Sequence, residues 1–519
     1  MKYITFSCRI VQGFCTKTTK NLAPGRGAIY RKTIPQQPEF EDFYLPFGGK
    51  LRSENRWVRL SKLIPWEEIE KEYAKQFAES GMGAPAKAAR VALGALIIQE
   101  KLGLTDEEVV EQIRENPYLQ YFIGYGEYRD EEPFEASMMV HFRKRLGLEE
   151  LSGINELIHS KQWKQKHKER VKDQGKDRED KGGGTGGGPE NRGKLIVDTS
   201  CAPADIRYPT DLSLLNEARE KSEGIIDVLH EPFKREEKKV RTYRKRARRD
   251  YLRAAKKRRL TSKELRRAIG KQLRYVKRDL QHIGTLSEKS GLELLSRKQY
   301  RDLLVIGELY RQQERMYGSG TKRIDDRIVS ISQPHVRPIV RGKAGRPVEF
   351  GAKVSVSLVN GYSFIERMSW DNYNESKDMK GQIEGYRKRF GYYPESVHAD
   401  KIYRTRENLR YCEGHGIRLS GPKLGRPRKE VEREEKKQMR QDELDRNAIE
   451  GKFGQGKRRF RLACIRGKLP ETSGSMIALV FLVMNLEKLL KEVFLRFLWE
   501  WVLSGLYCHR RPFAYIIAQ

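Results

Sequence analysis

The stretch Lys-Leu-Ile-Val-Asp, residues 194–198, decides the fold, because the hydrophobic pattern changes there from helical to strand-like. Its apolar run is short and ends on Asp198, which is typical of a buried strand. Strand patterns return at residues 352–358, Ala-Lys-Val-Ser-Val-Ser-Leu, where apolar residues alternate, and at residues 362–368. Gly361 separates these two segments, so we predict that they pair as a hairpin.

The order of the elements after this point predicts a mixed α/β fold. The remaining predicted elements are strands at 396–399 and 417–420 and helices at 376–390, 406–413 and 427–449. The order strand, strand, strand, helix, strand, helix, strand, helix is that of a ribonuclease H-like core. In that fold the first and fourth strands are neighbours, so Asp198 and Asp400 would meet at one edge of the sheet. Glu450, on the last helix, would lie over them.

Asp198, Asp400 and Glu450 are the candidate catalytic and metal-binding residues. Clustered carboxylates repel each other unless cations neutralise them, so such a site would bind two divalent ions. Mg2+ suits these hard oxygen ligands, with Mn2+ as a substitute. Two ions about 3.5–4 Å apart can activate a water or a 3′-hydroxyl and stabilise the leaving oxygen of a phosphoryl transfer. Each acid alone also fits a simpler role, as a turn or cap residue or as a solvated side chain.

The composition points to a nucleic acid partner. The 519 residues include 104 Lys and Arg against 71 Asp and Glu, a formal net charge of +33. An excess on this scale favours a polyanion and argues against an ordinary metabolic enzyme. The alternative is a solvated basic surface, as in a ribosomal protein. The six cysteines form no C-x-x-C pair, which favours a reducing compartment.

Composition and periodicity also divide the chain into parts. The predicted parts are an irregular N-terminal arm at 1–60, a helical DNA-binding domain at 61–160, a basic Gly-rich linker at 161–193, a ribonuclease H-like core at 194–211 and 348–495, a basic helical insertion at 212–347, and a C-terminal tail at 496–519. In the helical domain, Thr105 and Glu108 have the spacing of a capping box. A helix-turn-helix-like bundle and a plain bundle both fit this region.

The apolar run Met476–Met484 is shorter than the about 20 residues of a membrane helix, so we expect a core helix and no membrane partner.

The insertion carries the strongest local charge. Residues 231–280 contain 22 Lys and Arg against 6 Asp and Glu. Apolar residues, Leu252 among them, recur there at helical spacing, which predicts a folded basic helix pair with outward cations that track DNA phosphates. The candidate DNA-phosphate-binding residues are Arg244, Arg248, Lys256 and Arg259. The alternatives are that these charges keep the helices soluble or pair with acids of a partner subunit.

Two further cations flank Glu450. Arg446 lies four residues before it and Lys457 seven after it, so all three fall on nearly one helix face, within about 40°. This suits phosphate contacts beside a metal site, and it also suits an ion-pair stripe.

Residues 451–457 fit the pattern G-x-x-x-x-G-K as well. A P-loop needs a strand before it and Ser or Thr after it, whereas Arg458 follows here.

The spacing R-x3-E-x6-K, formed by Arg446, Glu450 and Lys457, resembles that of bacterial insertion-sequence DDE transposases of the IS-four and IS-five-like groups. The full pattern of that family has a tyrosine three residues before the arginine, and Glu443 stands there in this chain. The tyrosine's role is therefore unfilled, but the metal-binding acids are unaffected.

Other segments carry the same resemblance. Residues 196–211 resemble the first-aspartate region of the family, and residues 398–403, His-Ala-Asp-Lys-Ile-Tyr, resemble the second. The helical region through residues 133–142 resembles the domain that precedes the catalytic core in these enzymes. The resemblance extends over roughly residues 60–495, and the three acidic motifs together are what make it specific.

The resemblance implies a transposase that binds transposon-end inverted repeats, cleaves DNA with two Mg2+ ions and joins the ends to target DNA. It also implies a homodimer, because two transposon ends react together, and a bacterial cytoplasmic location at the nucleoid. Two other hypotheses stay open. One is a non-catalytic DNA- or RNA-binding protein, and the other is a ribonuclease H-like nuclease that cleaves without strand transfer.

Overall fold

The computed structural model describes residues 41–45, 48–77, 85–160, 191–343, 346–422 and 433–508. Most of the predicted N-terminal arm, residues 161–190 of the predicted linker and the end of the predicted tail lie outside these residues.

The described residues contain a mixed sheet of six strands. The strands are β1 Lys194–Pro203, β2 Arg337–Lys343, β3 Arg346–Val359, β4 Tyr362–Ser369, β5 Ser396–His398 and β6 Arg418–Leu419. Strand β1 lies in the middle, antiparallel to β3 on one side and parallel to β5 on the other, and β6 continues the sheet parallel to β5. Strands β2 and β4 lie end to end along the far side of β3, both antiparallel to it. The predicted α/β class is therefore confirmed.

The predicted hairpin is also confirmed. Val359 pairs with Tyr362 across the two turn residues Asn360 and Gly361, whose φ angles are +51° and +79°. Two consecutive positive φ angles define a type I′ turn, for which Asn-Gly is the favoured sequence because these residues tolerate the left-handed region. The local sequence thus fixes the register between β3 and β4.

The region between Arg56 and residue 160 is helical. Its helices are α1 Arg56–Leu63, α2 Trp66–Ala74, α3 Ala89–Leu102, α4 Asp106–Glu115, α5 Pro117–Phe122, α6 Met138–Arg145 and α7 148–160. The predicted capping box is present, because Thr105 and Glu108 each bond the other's backbone N–H at the start of α4. Buried side chains of these helices join those of the sheet in one continuous hydrophobic core. The helical region is therefore packed onto the sheet, and a smaller cluster that includes Val58 and Tyr121 lies apart from this core.

The insertion forms a helical bundle with cores of its own. Its helices are α8 Asp211–His230, α9 Arg244–Ala255, α10 Ser262–Ser290 and α11 Arg297–Ser319. Apolar side chains of α8, α10 and α11 meet in one cluster, and a second cluster lies further along α8 and α10. The predicted helix pair is thus part of a larger bundle. Strand β2 lies inside the predicted insertion, residues 212–347, so the chain returns to the sheet earlier than predicted.

The last helices cover the sheet. They are α12 Met379–Phe390, α13 Arg406–Gly414, α14 Arg433–Arg459 and α15 Pro470–Cys508. The part of α15 at Pro470–Leu495 is long and apolar enough to span a membrane, but 83% of its most apolar window is buried inside the protein. It packs against α1, α3, α6 and β4, so the predicted core helix is confirmed. Helix α15 also extends into the range 496–519 that was predicted as a tail.

Candidate active site

Parallel pairing between β1 and β5 brings the segments that carry Asp198 and Asp400 next to each other. Ile196 lies opposite His398 in this parallel pair, and each aspartate comes two residues later. Because side chains alternate along a strand, a step of two residues returns to the same face of the sheet. The prediction that the first strand ends on Asp198 is wrong, because β3 continues to pair with β1 as far as Pro203. Asp198 lies two residues beyond Ile196, where the parallel pairing with β5 ends.

A 3-10 turn follows β5 and carries Asp400 at its start. The Oδ1 atom of Asp400 accepts a hydrogen bond from the Lys401 N–H at 2.7 Å. Tyr403 ends the turn and is fully buried, and its hydroxyl lies 3.0 Å from Thr199 Oγ1 on β1. Burial raises the pKa of Tyr403 well above its usual range, the hydrogen bond with Thr199 lowers it, and nearby carboxylates including Asp198 raise it further. The hydroxyl therefore stays protonated.

Helix α14 carries Glu450 across the same side of the sheet. Lys194 of β1 donates to Asp445 of the helix at 2.6 Å. His398 Nδ1 lies 3.7 Å from Asp442 Oδ1, and His398 is two residues before Asp400 on β5. The helix packs against both β1 and β5. The sheet face that carries the two aspartates is thus the face that α14 covers.

Glu450 itself is exposed and pairs with Arg446. The Arg446 Nη1 atom donates to Glu450 Oε1 at 2.8 Å, and the two side chains are 26% and 54% exposed. The Arg446–Glu450 part of the alternative ion-pair stripe is therefore present. An exposed pair at this spacing contributes only about 0.5 kcal/mol to stability. Glu450 can therefore change partners at little cost.

The three acids do not form a closed metal site. Among the residues that the structure describes, no group of three or more His, Cys, Asp or Glu side chains is arranged to hold a metal ion. The donor set nevertheless fits a divalent ion, because carboxylate oxygens are the ligands that Mg2+ and Mn2+ prefer. Asp198 on β1 and Asp400 just after β5 are two candidate ligands, and an exposed ion pair holds the third, Glu450, towards Arg446.

The P-loop-like residues 451–457 lie inside helix α14. A Cβ atom on Gly456 would come within 3.1 Å of Leu462 and 3.2 Å of Met484 of α15. This glycine therefore allows close packing between α14 and the elements that follow it. A helix interior has no loop of N–H groups to surround a phosphate, so the nucleotide-binding interpretation is wrong.

The structure divides the basic candidates of the insertion into two groups. The Arg244 guanidinium donates to Asp227 Oδ2 at 2.8 Å and to the Glu223 carbonyl at 2.7 Å, so it ties α9 to α8. The prediction that Arg244 points outward is therefore wrong. Arg248, Lys256 and Arg259 are exposed, and none of them forms an ion pair with another residue in the described part of the chain.

Sequence reasoning missed further cations on the same helix. A shallow surface groove on α9 is lined by Lys245, Arg248, Arg249, Leu252, Arg253 and Lys256. Leu252 was placed among core positions, but it is 36% exposed. The buried face of α9 instead carries Ala247 and Ala254. These two alanines, seven residues apart, are the signal that could have identified the true contact face.

Comparisons with known proteins find similarity in two segments of the chain. Residues 397–487 match the model of a transposase DDE domain, and residues 46–145 match that of a transposase domain, DUF772. Two segments of the chain are therefore similar to transposase domains, one of them a transposase DDE domain. The first match includes Asp400, Arg446, Glu450 and Lys457. The finer assignment to the IS-five-like group stays a prediction.

One curated relative is the uncharacterized protein ORF8 in the nfe locus of Rhizobium meliloti. It is 33% identical over 157 residues, which are 30% of this chain and 66% of the relative. The alignment thus covers slightly less than two thirds of that protein. No solved structure matches the chain.

Proposed function

We propose that this chain is a transposase that binds transposon-end inverted repeats and catalyses metal-dependent DNA cleavage and strand transfer. The observation that supports the proposal is the parallel pairing of β1, which carries Asp198, with β5, which ends two residues before Asp400. Helix α14, which carries Glu450, packs against both strands. The transposase DDE match over residues 397–487 supports the assignment of Asp400 and Glu450.

The proposed catalytic core is ribonuclease H-like and consists of residues 194–211 and 348–495. The strand order β4–β3–β1–β5–β6 supports it, with the first three strands antiparallel and the last three parallel. The insertion leaves this core directly after β1 and its loop, and returns through β2. The DNA-handling bundle is thereby attached close to the strand that carries Asp198.

Each acidic and basic residue of the site has a proposed role. Asp198, Asp400 and Glu450 would hold two divalent ions, Mg2+ or Mn2+, which when bound activate the attacking hydroxyl and stabilise the leaving oxygen. Glu450 must leave Arg446 to take part. Arg446 is then available for a DNA phosphate next to the scissile bond, and Lys457 contacts a second phosphate on the same helix side.

The rest of the chain would hold the DNA. We assign inverted-repeat recognition to the helices within 61–160, supported by the transposase domain match over residues 46–145. The exposed cations of α9 contact the DNA backbone without reading its sequence. Two transposon ends must react together, so the active complex would be a homodimer, working in the bacterial cytoplasm at the nucleoid.

A cleavage and joining assay tests the proposal. The full-length protein is incubated with Mg2+ and DNA from the flanks of its own gene, together with a supercoiled target plasmid. We expect breaks at the inverted repeats and joined products in the target. Cleavage without joining would favour the nuclease. Binding without cleavage in either Mg2+ or Mn2+ would favour the non-catalytic DNA-binding protein and overturn the proposal.

A further inference from the structure

A buried pair of hydroxyl groups joins the two segments that carry the aspartates. Thr199 Oγ1 and Tyr403 Oη lie 3.0 Å apart, and these two residues are 3% and 0% exposed. A hydrogen bond in such a place excludes water, and removing one partner leaves the other hydroxyl unsatisfied. The bond is therefore a fixed contact between β1 and the turn after β5.

Both residues of this contact lie close in the sequence to the proposed metal-binding aspartates. Thr199 directly follows Asp198, and its backbone N–H donates to the Asp198 carboxylate at 2.8 Å. Tyr403 ends the turn that Asp400 starts. The recorded backbone pairing between β1 and β5 ends at Ile196 and His398. The hydroxyl pair thus joins β1 to the turn after β5, beyond the end of the backbone pairing and near the two acids in sequence.

Other bonds fasten the turn to different elements. The side chain of Asn408 on α13 donates to the Tyr403 carbonyl at 2.8 Å. Arg404 donates to the Leu419 carbonyl of β6 at 2.9 Å. These contacts keep the turn folded against α13 and β6, whereas the Tyr403–Thr199 contact sets its distance from β1.

We propose that Tyr403 and Thr199 are positioning residues that set the spacing between the Asp198 and Asp400 carboxylates for divalent ions. The inference rests on the proposed function, since it concerns the same pair of acids. Neither hydroxyl is expected to touch DNA or metal. Its contribution is to keep the two carboxylates at one separation before the ions arrive, so that binding does not have to order them.

The test compares metal dependence in matched tyrosine variants of the full-length protein. Tyr403→Phe removes the hydroxyl and keeps the ring. Tyr386→Phe is the control, because Tyr386 is also buried, at 1% exposure, and its hydroxyl donates to the Arg192 carbonyl at 2.7 Å, away from the acids. Mn2+ binding is measured by electron paramagnetic resonance, and cleavage is measured over a Mg2+ titration.

We expect Tyr403→Phe to raise the half-saturating Mg2+ concentration about five- to tenfold, the effect of one lost buried hydrogen bond. The rate at saturating Mg2+ should change much less. Thr199→Val should behave like Tyr403→Phe, and Thr199→Ser, which keeps a hydroxyl, should restore most of the affinity. Tyr386→Phe should leave the Mg2+ dependence unchanged even if it lowers the melting temperature.

Two results would overturn the inference while the wild-type protein binds Mn2+ and cleaves DNA. One is wild-type metal dependence in Tyr403→Phe. The other is an equal shift in Tyr386→Phe, which would mean that general destabilisation is the cause. A wild-type protein that neither binds Mn2+ nor cleaves DNA would instead overturn the proposed function itself, and the inference with it.

Discussion

The basic surface formed by α9 and the loop that follows it gives a prediction whose size can be worked out from the structure. Arg248, Lys256 and Arg259 are exposed, whereas Arg244 is held by Asp227 and by the Glu223 carbonyl. Changing the three exposed residues together to Gln should therefore weaken binding to DNA. The matched control, Arg244→Gln, removes a charge from the same helix without removing a phosphate contact.

Counterion release sets the magnitude. Each phosphate contact contributes about 0.9 to the slope of log affinity against log salt on duplex DNA. Loss of three contacts should reduce the slope by up to about 2.7. Between 50 and 200 mM salt, each contact accounts for about a 3.5-fold loss of affinity, so three account for about 40-fold. The Arg244→Gln slope should stay within about 0.5 of the wild-type slope.

Fluorescence anisotropy with two duplexes of unrelated sequence, over a salt series, measures these slopes. The affinity of the triple variant should fall by the same factor on both duplexes, because phosphate contacts carry no base information. An unchanged slope and affinity would refute the reasoning and leave these charges a role in solubility or in subunit contacts. A loss on one duplex alone would indicate base recognition.

Two further predictions concern α14 and the bundle. Arg446→Ala and Lys457→Ala should each lower the cleavage rate but preserve divalent-ion binding, measured by electron paramagnetic resonance of Mn2+. Normal cleavage with a lower melting temperature would indicate a structural ion pair. Burial, and then the charge of Glu223, raises the pKa of Asp279 to about 7, above the about 3.9 of an unfolded chain, so stability should fall as pH rises from about 4 to 7. Asp279→Asn should flatten that dependence. Above pH 7 it should raise the free energy of unfolding by up to about 4 kcal/mol, and the melting temperature with it. An unchanged dependence of stability on pH would contradict this.

Local signals in the sequence predicted much of the sheet. The alternation at residues 352–358 and the Asn360-Gly361 turn specify a hairpin by side-chain pattern and backbone conformation alone, and the structure has it. Local patterns did not predict that β1 continues to Pro203 or that β2 is present. Both depend on pairing with β3, a long-range contact that leaves little pattern in the strands themselves.

For the candidate site, the sequence predicted which segments are neighbours. The apolar runs before Asp198 and Asp400 belong to two strands that pair in parallel, whereas the metal site itself stays a prediction. The contact between Thr199 and Tyr403 was not predictable, since it depends on how the turn after β5 folds back on β1. The direction of the Arg244 side chain was also missed, because it is set by an acid on another helix, Asp227, that helical periodicity does not reveal.

The most direct test of the account removes one carboxylate charge at a time. Asp198→Asn, Asp400→Asn and Glu450→Gln keep side-chain size and remove a metal-ligand charge. Glu443→Gln, an exposed residue on the same helix as Glu450, is the control. Cleavage and strand transfer on transposon-end DNA should be abolished in the first three variants and retained in the control, with DNA affinity close to wild type in all four. Near-normal cleavage by any of the first three would contradict the assignment of that residue, and near-normal cleavage by all three would contradict the account.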